Sequence, residues 1–308
     1  MRKKGTSDLA AVCLLLAAFL MIGAGIVCVR LRTVWNSYEN AFHFSEELNL
    51  AFTNADEVVV SLRTCLKNRV EGIVVEFDAD GEYMDVLPQV LDELMDAALT
   101  EPGCPTGGDY LRYQYGGYEY TYSRTLSGAS YHYTVQIAPN YYADSQKEEK
   151  TDEKVDEILS ELDLSDVECM EDEEKISRIY QYICTQVKYD YVHKNHENNH
   201  IKSTAYSALV LNTAGCQGYA LAIYRLMSEV GIDCKIVTGT AVHDGVEEYH
   251  AWNLVKLGDV YYNLDATWDA GENTYSYKLV TDAEMPDHVR DDCFQTEEFR
   301  FAYPMAGE

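Results

Sequence analysis

The chain has 308 residues, 47% hydrophobic and 25% charged, an ordinary globular usage that excludes global disorder, collagen-like repetition and low complexity. Basic residues number 24 against 52 acidic ones, a formal net charge of −28. So acidic a chain repels phosphate backbones, which excludes nucleic acid as a partner recognised by charge and leaves the acidity as a source of colloidal repulsion.

From Leu9 to Val29 the chain runs 21 residues without a charge. As a helix, such a run spans a hydrocarbon core of roughly 30 Å. Arg2, Lys3 and Lys4 precede it and Arg30 and Arg32 follow, a bias towards an amino terminus on the inside. The expectation is a cytoplasmic tail over 1–8, a single-pass transmembrane helix over 9–29 in the cell membrane, and an extracytoplasmic remainder. Two alternatives stay open: a signal peptide cleaved near Gly23-Ala24-Gly25, giving a secreted protein, and lipid attachment at Cys28. Of nine cysteines, seven lie beyond the apolar run, so at least one stays free or pairs with another chain. No CxxC occurs, which removes the zinc-knuckle and thioredoxin-like readings.

Residues 30–145 read as a small α+β module. Runs at 57–62 (EVVVSL) and 73–77 (IVVEF) suit strands. Between 84 and 99, Val86, Val90, Leu91, Leu94 and Ala98 form a helical stripe, with Pro88 early enough to be tolerated. Residues 108–124 and 131–137 alternate at period two, with Gly116-Gly117 read as a hairpin between tyrosine-rich runs. Tyr131, Tyr133, Val135 and Ile137 share one face. The tyrosines read as cross-strand packing rather than a sugar platform, since no convergent polar groups accompany them.

A domain boundary is expected at 145/146, with a second domain over 146–308. Val155, Ile158, Leu159 and Leu162 mark an amphipathic helix within an acidic stretch. Ile176, Ile179, Tyr180, Ile183 and Val187 mark the next. After a loop, Cys216 stands between Gly215 and Gly218 at the start of a longer helix with Ala220, Leu221, Tyr224, Leu226 and Met227 on its apolar face. A helix N-terminus stabilises a thiolate, the nucleophilic form of cysteine.

Three strand-like runs follow, at 234–242, 247–257 and 260–268. A two-residue turn at Gly258-Asp259 pairs Leu257 with Val260, sets Trp252 opposite Asp265, and makes His250 and Asp265 diagonal neighbours on one face. A three-residue loop would break that parity. Cys216 as nucleophile, His250 as base and Asp265 as orienting acid then complete the triad logic in its cysteine form.

The motifs GCQGYA at 215–220, HAWNLV at 250–255 and YNLDATWD at 262–269 resemble those of the bacterial transglutaminase-like superfamily. Their order, and the intervals of 34 and 15 residues between Cys216, His250 and Asp265, fit that pattern over a core of about 172–285. The resemblance implies a papain-like α+β fold, a cysteine-bearing helix on an antiparallel sheet bearing the histidine and aspartate. It also implies an upstream side chain assisting the oxyanion. Tyr206 is the best match, with packing an equal alternative. Gln217, Trp252 and Trp268 are expected to wall the site. His193, His196 and His200 are read as a polar loop rather than a metal site, no calcium loop occurs, and no cofactor is indicated.

The function expected is that of a membrane-anchored cysteine enzyme acting on amide or peptide bonds of surface proteins or wall peptides through an acyl-thioester. Water as acceptor makes it a protease or amidase; an amine makes it a cross-linking transglutaminase. An open exterior site leans towards water. The alternative is a non-catalytic surface binding or scaffold module reusing the fold. A third reading, a redox-sensing thiol, would need a resolving cysteine, for which Cys234 is the candidate.

Overall fold

The computed structural model describes residues 26–28, 54–80, 85–101, 103–165, 170–193, 199–243, 245–272 and 274–307. The chain divides into two units, Met1–Thr100 with Tyr115–Tyr141, and Glu101–Gln114 with Tyr142–Glu308.

The first unit is a four-stranded sheet with helices. Its strands are β1 (Ile26–Cys28), β2 (Gly72–Ala79), β3 (Tyr115–Ser127) and β4 (Ser130–Tyr141), in the order β1-β2-β4-β3. Tyr133, Val135 and Ile137 are buried along β4, and Phe77 of β2 stacks on Tyr133 at 5.2 Å. That one-sided burial is what the period-two pattern encodes. The helices are α1 (Ala55–Lys67) and α2 (Leu87–Ala98), the latter with its proline in the first turn.

Two expectations fail here. Residues 57–62 lie within α1, because Ala55, Val58, Val59, Leu62 and Leu66 are buried at helical spacing. That longer-range period outweighs the local β preference of three valines. Gly116-Gly117 makes no hairpin; Gly117, at φ +92°, serves the register shift between Tyr115 and Tyr118 within β3. The turn comes at Gly128, φ +68°, between Ser127 and Ser130. Of the apolar run expected to cross a membrane, residues 9–25 and 29 lie outside the described residues. Ile26–Cys28 pair in parallel with Gly72–Val74 as strand, satisfying the outer edge of β2. Among the described residues no helix is long and apolar enough to span a bilayer.

The second unit opens with α3 (Gly108–Arg112), a helix where alternation suggested strand. Asp109 on α3 accepts from the Ile236 amide at 2.8 Å and from Lys235 Nζ at 2.6 Å, which ties the segment to the larger sheet. Two amphipathic helices follow as the spacing predicts, α4 (Ser145–Glu161), capped by Asp144, and α5 (Asp172–Gln186). Short strands β5 (Lys188–Tyr189) and β6 (Thr213–Ala214) pair in parallel, with α6 (Ala205–Leu209) between them in sequence.

The central helix α7 (Cys216–Glu229) then packs on an antiparallel sheet formed by β7 (Cys234–His243), β8 (Val246–Leu257) and β9 (Val260–Leu264). After α8 (Ala266–Asp269), the edge strands β10 (Lys278–Val280) and β11 (His288–Arg290) complete the order β10-β9-β8-β7-β11, and α9 (Glu297–Ala302) follows. Ile176, Ile179 and Ile183 of α5 meet Leu221, Leu226 and Met227 of α7 and Ile236, Ala251, Val255 and Leu264 of the sheet in one core. Each such side chain contributes roughly 1.5–3 kcal/mol of burial, so the helix bearing the cysteine is fixed by its whole length.

Candidate active site

Cys216 is the first residue of α7, preceded by Gly215 in an extended conformation. The first amides of a helix have no intrahelical acceptor, so they point at whatever sits by the thiol. Three bonds hold this end of the helix. The Gly215 amide donates to the Lys202 carbonyl at 2.9 Å, Gln217 Nε2 donates to the Tyr113 carbonyl at 2.5 Å, and Asn253 Nδ2 of β8 donates to the Ala220 carbonyl at 3.0 Å. Gly218 is there for close approach: a Cβ would lie 2.7 Å from the Lys202 carbonyl oxygen.

His250 faces the cysteine from β8. The β8–β9 turn pairs Leu257 with Val260 and Asn253 with Leu264, the register a two-residue turn dictates. His250 and Asp265 therefore meet, with Nε2 at 2.8 Å from Asp265 Oδ2. Cys216 lies on the other side, close enough for its side chain to add to the upward shift of the imidazole. β9 ends at Leu264 rather than running to 268. Asp265 caps α8, its Oδ1 accepting from the Thr267 amide at 2.9 Å. The cap spends one oxygen on backbone and turns the other to the histidine, which a continuous strand would not do.

Burial works against a charge on His250, yet the Asp265 charge and hydrogen bond, joined by Cys216, outweigh it and push the imidazole up to about 10. Asp265, completely enclosed, would be raised by burial, but the His250 charge and hydrogen bonds from His250 and His288 hold it well below the usual carboxylate range. Asp269, raised by burial, supports this corner, accepting from the Ser276 and Tyr277 amides at 2.9 Å each. The Tyr180 hydroxyl bridges Asp269 Oδ2 at 2.6 Å and the Asp265 carbonyl at 2.8 Å.

The sequence reading missed His288, on β11. Its Nε2 lies 3.2 Å from the same Asp265 Oδ2, and its Nδ1 lies 2.8 Å from Asp287 Oδ1. No motif surrounds it; its position follows from β11 pairing with β7, with His288 opposite Ala241. His250, Asp265 and His288 bring donor atoms within 4.8 Å of one another, and hydrogen bonds among the three account for that convergence.

Other expected site residues fall differently. Trp268 packs beside the two histidines, its ring 5.5 Å from His250 and 4.4 Å from His288. Trp252 is fully buried behind both histidines, its indole N–H on Asn263 Oδ1 at 3.0 Å. It lines a cavity of about 160 Å3 with His288, Arg290 and Arg300. Gln217 is an anchor rather than a wall, because its amide is spent on Tyr113 and Ser203 carbonyls. Tyr206 lies half-buried on α6, with its backbone carbonyl engaged by Val210 and Leu211. His193 bonds Asp190, His200 stacks on Tyr142 at 4.5 Å, and His196 lies outside the described residues. Cys234 is a core residue whose thiol burial pushes well up, which suits packing rather than a resolving role.

Residues 165–266 match the family model described as the Transglutaminase-like superfamily and form a transglutaminase-like domain. Cys216, His250 and Asp265 lie inside the match and His288 beyond it. The chain is similar to the kyphoscoliosis peptidase of Mus musculus, 30% identical over 123 residues, covering 37% of this chain and 18% of that protein. The Homo sapiens protein gives 29% over 126 residues, 38% and 18%. This chain thus spans under a fifth of the length of these relatives. Among solved structures it resembles one described as a TGase, at a TM-score of 0.35 and 15% identity, over 47% of this chain and 44% of that one.

Proposed function

We propose that the second unit is a cysteine enzyme that cleaves amide or peptide bonds through an acyl-thioester on Cys216. The observation that supports this best is the buried His250, hydrogen-bonded to Asp265 and raised by that pair together with the neighbouring Cys216. A histidine so raised holds its proton at neutral pH, the state that pairs with a thiolate.

In this reading the Cys216 thiolate attacks the carbonyl carbon. A C–S bond forms, and the oxyanion is met by the Cys216 amide, with Tyr206 as second donor. His250 then passes its proton to the departing nitrogen as the C–N bond breaks. In the second half, His250 takes a proton from water or from an amine as that nucleophile displaces the thiolate. Water yields hydrolysis and an amine yields cross-linking, and both need the same three residues. The run at 9–29 is proposed to anchor the enzyme in the membrane, with surface proteins or wall peptides as substrates.

Iodoacetamide labelling of the full chain from pH 5 to 9, read cysteine by cysteine by mass spectrometry, tests the site. An ordinary thiol reacts appreciably only as pH nears about 8.5. Fast labelling of Cys216 near pH 6, abolished in His250→Ala, is the expected result. Labelling no faster than at exposed Cys293 would overturn the enzyme reading and favour a scaffold module, in which Cys216→Ala leaves the phenotype intact.

A further inference from the structure

The His288 ring is enclosed by groups that leave its nitrogens little choice. Nδ1 meets Asp287 Oδ1 and Nε2 meets Asp265 Oδ2. An ionised carboxylate only accepts, so each nitrogen must donate, and an imidazole with two donors is an imidazolium. Both partners are ionised acids. Asp265 is held low by its two histidines against the effect of burial. Asp287 is held low against its own burial by Tyr277, whose hydroxyl donates at 2.7 Å, and by His288 itself. Trp268, Trp252 and Tyr277 pack around the ring at 4.4, 5.1 and 5.6 Å. Arg290 and Asp282, on the cavity beyond, bond each other.

We propose that His288 is a positioning residue of this site: a doubly protonated imidazolium clamped between Asp287 and Asp265, which fixes the Asp265 carboxylate and offsets part of its charge so that His250 can release its proton. The inference rests on the reading of Cys216 and His250 as a nucleophile–base pair. Asp265 Oδ2 is shared by both histidines, while Oδ1 is tied to the Thr267 amide. With three donors the carboxylate cannot rotate away. The charge of His288 matters as much as its bond. A base held by an undivided buried carboxylate would grip its proton too tightly to deliver it to a leaving nitrogen. A second cation whose ring lies 5.2 Å from that of His250 weakens the grip.

Removing a positive charge makes every nearby site bind protons more readily, so forming the thiolate at Cys216 beside His250 should require a higher pH. His288→Gln keeps a donor and loses the charge. At an effective dielectric of about 20 and this separation, the midpoint for Cys216 labelling by iodoacetamide in the full chain should rise by about one pH unit or more. A midpoint equal to that of the unaltered chain overturns the proposal.

A second measurement needs no variant. With 15N-labelled histidine, the nitrogen spectrum of the unaltered chain at pH 7.5 should show both His288 ring nitrogens protonated. One unprotonated nitrogen overturns the proposal even if His288→Gln fails to fold. The two readings fail separately: slow Cys216 labelling in the unaltered chain sinks the enzyme reading, while the His288 spectrum still reports on the clamp.

Discussion

The placement of Cys216, His250 and Asp265 was legible because a helix start and two residues in register across a hairpin leave local marks. His288 was not, because it reaches Asp265 by a strand pairing on the far side of β7, and strand pairing across long separations has no sequence period. The His250–Asp265 pair also sets a pH dependence of stability. Asp265, held below its unfolded value, contributes stability above about pH 3.9 that is lost as pH falls. His250 is raised, so its contribution is complete below its unfolded value of about 6.5 and is lost as pH rises towards about 10. Calorimetric melting of the full chain and of His250→Gln across pH 6–10 should therefore show the advantage of the unaltered chain shrinking as pH rises. Parallel curves would contradict the raised imidazole.

At the scale of elements, the two edges of the site rest on glycines that admit a neighbouring backbone. Gly239 of β7 stands between His250 on β8 and Arg290 on β11, and a Cβ there would overlap the Val289 carbonyl oxygen. Gly239→Ala should push β11 outward, costing about 1–3 kcal/mol in denaturant titration, and should raise the Cys216 labelling midpoint as His288→Gln does. A stable variant with unmoved labelling would separate β11 from the site. The sequence showed β7 and β8 in their observed places, since branched and aromatic alternation was long enough to outvote local noise. It misread 57–62 and 108–112, where short apolar runs serve helix and strand equally. It also ran β9 on to residue 268, although an aspartate followed by Ala-Thr-Trp-Asp is a helix cap.

At the scale of the molecule, the second unit is not contiguous in sequence. Residues Glu101–Gln114 join it before the β3–β4 hairpin, which belongs to the first unit. Nothing in composition marks that return, because the ties are single side chains: Asp109 holds the Ile236 amide and Lys235, and Gln217 reaches the Tyr113 carbonyl. Asp109→Ala leaves both donors without their acceptor, and a loss of about 2–4 kcal/mol in chemical denaturation is expected. A loss under about half a kcal/mol would show that the Asp109 tie is dispensable. The acyl-thioester on Cys216 is the step on which the proposed chemistry depends. Mixing the full chain with a glutamine-containing peptide library, quenching in acid and weighing the tryptic peptide that bears residue 216 would decide it. The prediction is an added acyl mass on Cys216 that disappears in Cys216→Ala and accumulates least when hydroxylamine is present. An unmodified Cys216 peptide beside cleaved or cross-linked library products would contradict it.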